Sequence, residues 1–287
     1  MSKLVRAISE NGGIVVAIVD STEIVGEMQK LHDCSAPVCA GLGRLITGAS
    51  LMGAMLKSRE DALTLRVQGG GPAGLLIAVA NGKGDLKGYV QNPHADMQNR
   101  PDGKLNVGGV VGTDGMLSVI KDLGLKEPYV GQIPLVSGEI AEDLTSYYAT
   151  SEQIPTVCAL GVLVEKDRSV KRAGGYLLQL LPGATDEEIT CLENNISSMK
   201  SMTEMLEDGM SVYDIIEKLL AGFNPNVLDE EKVAYHCDCS KERVERAYIS
   251  LGKEELHKIA EEQETVELKC QFCNKAYEFK TADYLNL

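Results

Sequence analysis

The sequence predicts an α+β protein: a large, mainly antiparallel β-sheet domain with packed helices, a helical linker and a small C-terminal domain. Three observations predict it. Across residues 1–182, short apolar and β-branched runs alternate with Gly-rich turns and are interrupted by a few helical stretches, as in an antiparallel α+β domain. At Leu181-Pro182-Gly183 the chain becomes acidic and helical. Near the end, four of the eight cysteines gather as a CxC and a CxxC. The expected boundaries are 1–182 for the core domain, 183–229 for the acidic linker and 230–287 for the C-terminal domain. A chain of 287 residues accommodates them, at about 100–200 residues per domain.

Residues 3–8 (KLVRAI) and 14–19 (IVVAIV) read as strands about a Gly12-Gly13 turn. A helix follows from Ser21. A second opens at Ser35-Ala36-Pro37, with Ser35 suited to the N-cap and Pro tolerated in the first turn. Leu42, Leu45, Ile46, Leu51, Met52, Met55 and Leu56 make that helix apolar on most sides, so it is expected to be buried. The stretch TLRVQGGGPAGLLIAVANGKGDLKGYVQN is strand-rich, with Asn81-Gly82-Lys83-Gly84 as a hairpin turn. Residues 116–121 and 129–137 read as further strands, 139–151 as a helix, and TVCALGVLV and AGGYLLQLL as two strands flanking the turn EKDRS. In the linker, Thr185 with Glu188 forms a capping-box pattern, Ser211 with Asp214 starts another helix, and Gly209 suits a helix C-terminus. In the last domain, Ser240 caps the helix SKERVERAYISLG, which ends at Gly252. KEELHKIAEEQ forms a second helix, and VELKCQFCNKAYEF forms a strand pair with CQFC at its turn.

The formal net charge is −14, unevenly spread: residues 1–182 carry 19 acids and 17 bases, residues 183–287 carry 23 acids and 11 bases. An acidic tail opposes nucleic-acid binding, which depends on Lys and Arg neutralising phosphates, and opposes docking on anionic lipid. No stretch approaches the roughly 20 apolar residues of a membrane span, and MSKLVRAISENGG lacks the apolar core of a secretory signal. The expected compartment is cytoplasmic, where thiols stay reduced and clustered cysteines bind metal or sense oxidants. The linker, with ten acids and two bases over 183–229, repels itself and is expected to be the least stable part of the chain.

Cys237-x-Cys239 and Cys270-x-x-Cys273 are separated by thirty residues. Four thiolates in two pairs suit one tetrahedral Zn²⁺ with no open position, hence a structural rather than catalytic site. His236 is an outside candidate ligand. The helix starting at Ser240, with Lys241 and Arg243 beside the first pair and Lys269 and Lys275 beside the second, is expected to favour thiolate over thiol. On oxidation, neighbours are expected to pair first, as Cys237–Cys239 and Cys270–Cys273, the former in a small strained ring that is easily reversed. Metal loss is expected to unfold the C-terminal domain, because zinc carries on the order of 10 kcal/mol of such a domain's folding free energy.

Met199, Met202, Met205 and Met210 lie within twelve residues. The first three, with Leu206 and then Ile215, Ile216 and Leu219, form an apolar stripe. It reads either as packing against the first domain or as an adaptable surface for varied clients; docking at rest and release on activation accommodates both. Cys34, Cys39, Cys158 and Cys191 are expected to be small buried apolar residues.

HCDCSKER and CQFCNKAYEF, together with LGRLITGASLMGAMLK, VQGGGPAG, VGTDGMLSVIKDLG, SGEIAEDLTSYYATSEQIP and GGYLLQLLPG in order, resemble the heat shock protein 33 family of redox-regulated bacterial holdases. The resemblance covers the whole chain. It implies an inactive, zinc-bound reduced monomer with Cys237, Cys239, Cys270 and Cys273 as ligands. Hypochlorite, or peroxide with heat, would form the two local disulfides, release zinc and unfold the C-terminal domain and linker. The protein would then dimerise and hold unfolded client proteins without ATP, passing them later to ATP-driven foldase chaperones.

The alternatives are a zinc ribbon binding RNA or a ribosomal surface, which the charge opposes, and a metalloenzyme. Gly69-Gly70-Gly71-Pro72-Ala73-Gly74 matches GxGxxG, but a strand rather than the helix of a nucleotide site is expected after it. Ser146, Ser151 and His94 form no evident triad, and no enzyme constellation is expected.

Overall fold

The computed structural model describes residues 2–285 and divides into two compact units between Tyr235 and His236. The fold is mixed α+β with one large sheet and packed helices. Unit 1 begins with β1 (Ser2–Ile8), β2 (Ile14–Asp20), α1 (Thr22–His32) and α2 (Ala36–Gly53). The meander β3 (Ala62–Gln68), β4 (Leu75–Asn81) and β5 (Asp85–Val90) follows, then α3 (Val107–Val111), β6 (Met116–Asp122), β7 (Tyr129–Pro134) and α4 (Ala141–Tyr147). It continues with β8 (Thr156–Val164), β9 (Val170–Leu180), α5 (Asp186–Ser197), α6 (Met202–Glu207), α7 (Val212–Leu219) and β10 (Asn226–Tyr235). The ten strands form one sheet, ordered β7-β6-β3-β4-β5-β10-β1-β2-β9-β8. Every pairing is antiparallel except β10 with β5.

Side-chain periodicity explains the layers. In β3 and β4, Leu63, Leu65, Val67, Leu76, Ala78 and Ala80 are buried, and the residues between them are partly exposed, as in a sheet covered on one face. In β2 and β9 successive residues are buried on both sides. Ala17, Val19, Ala173 and Leu177 join the main core around α1 and α2. Val16, Ile18, Tyr176 and Leu178 join a second core under α5–α7. The apolar helix α2 runs through the main core, with sixteen of its eighteen residues buried, as its composition predicts.

Several local expectations change. Ser35 does precede α2, but its hydroxyl donates to the Ala95 carbonyl instead of capping the helix. The strand expected over 129–137 stops at Pro134. The next loop wraps the buried Asp143 carboxylate, which accepts from the backbone N–H of Val136 (2.7 Å), Ser137 (3.1 Å) and Ile140 (3.0 Å). Ile140 sits at φ 73, an uncommon conformation for a β-branched residue, so α4 begins only at Ala141. The helix expected over 139–151 is seven α-helical residues followed by a wider π-type turn, Tyr148–Glu152. Helix α3, in VGGVV, was not foreseen; Asn106 Oδ1 caps it by accepting from Gly109 N at 2.9 Å. The GxGxxG segment runs into strand β4, as read.

The largest difference is β10. Its residues straddle the expected linker and C-terminal domain, yet it lies between β1 and β5, and residues 230–235 belong to unit 1. The three acids Asp229-Glu230-Glu231 hide a strand that the pairing stabilises. Asp229 lies opposite Arg6 and accepts from its Nε at 2.9 Å. Glu230 takes Lys3 Nζ at 2.8 Å.

Unit 2 comprises α8 (Lys241–Ile249), α9 (Lys253–Glu262) and the hairpin β11 (Thr265–Lys269) with β12 (Ala276–Lys280). Its core is mainly aromatic: Tyr248, Phe279 and Tyr284 have ring centroids 5.1–6.1 Å apart, with Leu256, Val266 and Tyr277 around them. Gly252 opens α9, at φ 87, where α8 was expected to end. No helix among the described residues is long and apolar enough to cross a membrane.

Candidate metal centre

The β11–β12 hairpin positions the second cysteine pair. Lys269 and Ala276 form its last cross-strand pair, leaving a tight turn. Cys270 N donates to Lys275 O at 3.0 Å, and Asn274 N donates to Cys270 O at 2.8 Å. Asn274 takes φ 58, a left-handed conformation that Asn tolerates better than most residues. The first pair lies just before α8. There Ser240 caps the helix by accepting from Arg243 N at 3.3 Å, which fixes the direction in which the chain leaves Cys239. Tyr277 of β12 ties the halves together, its hydroxyl lying 3.1 Å from both the Cys239 sulfur and the Cys239 carbonyl oxygen.

The result is one cluster. The Sγ atoms of Cys237, Cys239, Cys270 and Cys273 lie within 4.8 Å of one another. Two close contacts run across the pairs: Cys237 to Cys270 at 3.7 Å and Cys239 to Cys273 at 3.4 Å. Four sulfurs about 2.3 Å from a common tetrahedral ion would stand about 3.8 Å apart. The donor set therefore fits one four-coordinate ion of the thiophilic class, and the four cysteines can hold it. His236 is not part of the group.

Burial and hydrogen bonding divide the thiols. Burial disfavours the Cys239 thiolate, but hydrogen bonds from the Tyr277 hydroxyl and the neighbouring thiols outweigh it and bring its pKa down to about 7. Cys237 is pushed well up, mainly by burial, and Cys273 is also raised, mainly by burial. The four cations expected to favour thiolate have other engagements. Arg243 pairs with Asp238 and Lys269 with Glu267 at 3.3 Å. Lys241 lies over the Phe279 ring and Lys275 over that of Tyr277, at 5.3 and 5.2 Å from the centroids. Tyr277 is the contributor the sequence reading missed; its signal was a hydroxyl-bearing aromatic four residues beyond Cys273.

The Met-rich stripe sits in unit 1. Met202, Met205, Leu206, Ile215, Ile216 and Leu219 are buried and Met199 partly so, all packed in the second core with Val5, Val16, Ile18, Tyr176 and Leu178. Packing, one of the two readings of the stripe, describes this state. The remaining cysteines differ from one another. Cys34 and Cys39 are fully buried and Cys158 is half-buried, but Cys191 is exposed. This corrects the expectation that all four are buried: Cys191 is exposed on α5, whose single buried residue is Leu192, with its sulfur 4.0 Å from the Ala221 carbonyl oxygen.

The chain matches the family model described as Hsp33 protein over residues 2–280. It is 48% identical over 282 residues to the 33 kDa chaperonin of Clostridium perfringens (strain SM101 / Type A), covering 98% of this chain and 89% of the relative. It is 46% identical over 284 residues to the 33 kDa chaperonin of Clostridioides difficile (strain 630), covering 99% and 97%. The crystal structure of the 33 kDa chaperonin (heat shock protein 33 homologue) from Thermotoga maritima superposes with a TM-score of 0.91 at 33% identity, over 99% of this chain and 97% of that one.

Proposed function

The chain belongs to the heat shock protein 33 family, and we propose that it is a redox-regulated, ATP-independent holdase chaperone switched by its four clustered cysteines. The observation that carries this reading is the cross-pair approach of the sulfurs, 3.4 and 3.7 Å: suited to a shared ion, and too long for an S–S bond of about 2.05 Å. Bound Zn²⁺ would hold the four thiolates together and supply on the order of 10 kcal/mol to the folding of unit 2.

Hypochlorite or peroxide is the oxidant. With peroxide, each pair gives up two electrons and forms one S–S bond, Cys237–Cys239 or Cys270–Cys273, while the peroxide oxygens leave as water. Both bonds together consume all four donors, which would leave a bound ion without ligands. Unit 2 then depends on its six-residue buried cluster, too small a core to order about fifty residues. Unfolding continues into the acidic linker helices. Met199, Met202, Met205, Leu206, Ile215, Ile216 and Leu219 leave the second core and offer unfolded clients an adaptable apolar surface. The oxidised protein acts as a homodimer in the cytoplasm and hands clients to ATP-driven foldases.

A single experiment tests the switch. Peroxide with mild heating is added to the reduced, zinc-loaded protein; zinc release is followed with a chromogenic chelator, and light scattering of a denatured client is recorded in parallel. About one zinc per chain should appear as aggregation is suppressed. Equal client protection by the reduced and oxidised forms would refute the switch.

A further inference from the structure

The sheet of unit 1 has an internal gap. β10 pairs with β1 along Ser2–Ile8 but meets β5 only at Ala234 and Tyr235. Over residues 226–232, no strand among the described residues pairs with the side of β10 that faces away from β1. A cleft of about 470 Å³ opens there, walled by β1, the segment after α2, the β4–β5 turn and β10. Glycines hold the walls together. A Cβ on Gly82 would lie 2.2 Å from the Ser58 carbonyl oxygen, and one on Gly84 2.4 Å from that of Lys232. The turn is thus in backbone contact with both neighbouring walls, and the side chains they carry have fixed origins.

Five cations line this cleft: Arg6, Lys57, Arg59, Lys83 and Lys232. Arg6 is held by Asp229 and donates to Ala54 O at 3.0 Å, and Lys83 pairs with Glu60 at 3.3 Å. Glu230 is occupied by Lys3 at 2.8 Å and by the Tyr213 hydroxyl. Lys57, Arg59 and Lys232 have no acidic partner among the described residues, and the remaining lining acid is Glu231. In a chain of net charge −14, two unpaired cations of the segment after α2 and one of β10 line one concave site. Such a cleft concentrates counter-anions, and an Arg fork with Lys point charges suits phosphoryl oxygens.

We propose that this cleft is a binding site for a compact polyanion of linked phosphoryl groups, held by Lys57, Arg59 and Lys232. An inorganic polyphosphate and the phosphate tail of a nucleotide share that chemistry. The site lies wholly within unit 1, and its lining contains none of the four clustered cysteines.

The test is calorimetric titration of the full, reduced, zinc-loaded chain at low ionic strength with sodium tripolyphosphate and, separately, with ATP. Zinc content is measured afterwards to exclude chelation. One saturable, salt-weakened site is expected. Combining Lys57→Ala, Arg59→Ala and Lys232→Ala should weaken it about tenfold or more, whereas Lys126→Ala with Lys166→Ala, exposed lysines elsewhere in unit 1, should leave it unchanged. If the triple variant does not fold, the single changes Arg59→Gln and Lys232→Gln carry the test, each expected to cost about threefold. Equal affinity for both ligands assigns the site to the phosphate chain alone, and tighter ATP binding assigns it to a nucleotide. Absence of saturable binding, unaltered binding by the cleft variants, or equal loss in the control variant would overturn the proposal.

Discussion

Unit 1 and unit 2 are held together by different chemistry. In unit 1, one core gathers forty buried residues and a second gathers seventeen; in unit 2 the corresponding cluster has six. The large cores resist any single chemical event, because their stabilisation is spread over many apolar contacts. The small unit brings four sulfurs from two chain segments into one cluster; on the proposed reading a shared ion there would carry much of its stability, and a two-electron oxidant would remove it. The α5–α7 layer lies between these extremes: it shares the sheet of unit 1, but its outer face is acidic and exposed. A region becomes switchable when few interactions hold it and those few are reactive.

The comparison breaks first at the sulfurs. Cys270→Ser should remove one of four ligands and with it most of the metal's contribution, on the order of 10 kcal/mol. Hydrogen exchange should then show unit 2 amides exchanging at unfolded-chain rates while β3, β4 and β6 stay protected. Retained protection in unit 2 would mean its aromatic cluster suffices alone. A smaller effect is expected in the second core. Ile215 is fully buried, and Ile215→Ala should cost about 2–5 kcal/mol through lost burial and a residual cavity. Exchange should rise in α5–α7 before it rises in β3–β7, with client protection appearing without oxidant. A uniform loss across unit 1 would show that the helical layer and the sheet unfold as one. The smallest effect concerns the cysteines outside the cluster. Burial, then the nearby Asp33 charge, pushes the Cys34 thiol up to about 12, and burial pushes Cys39 higher still. Iodoacetamide should label exposed Cys191 in the folded protein and spare Cys34 and Cys39 until denaturant is added, as read by mass spectrometry; labelling of Cys39 under native conditions would contradict its burial.

Much of this architecture was legible because its signals are local. Thr185 with Glu188 and Ser211 with Asp214 form the capping boxes their spacing announces. The Asn81–Gly84 turn joins β4 to β5, and the two cysteine pairs meet as their spacing suggested. Each depends on residues a few positions apart, or on a metal-ligand pattern with few other uses.

The sequence by itself determined which segments are helix or strand where propensity and period agree, and which sulfurs belong together. Only the tertiary structure decided that the acidic run Asp229-Glu230-Glu231 is a strand, because Arg6 and Lys3, more than two hundred residues away, neutralise its first two acids across the β1–β10 pairing. It also decided that Tyr277, rather than the four neighbouring cations, supports the Cys239 thiolate, and that three unpaired cations share a cleft. Propensity and spacing act over a few residues along the chain. Charge pairing and burial act across space, and folding brings distant residues within their range.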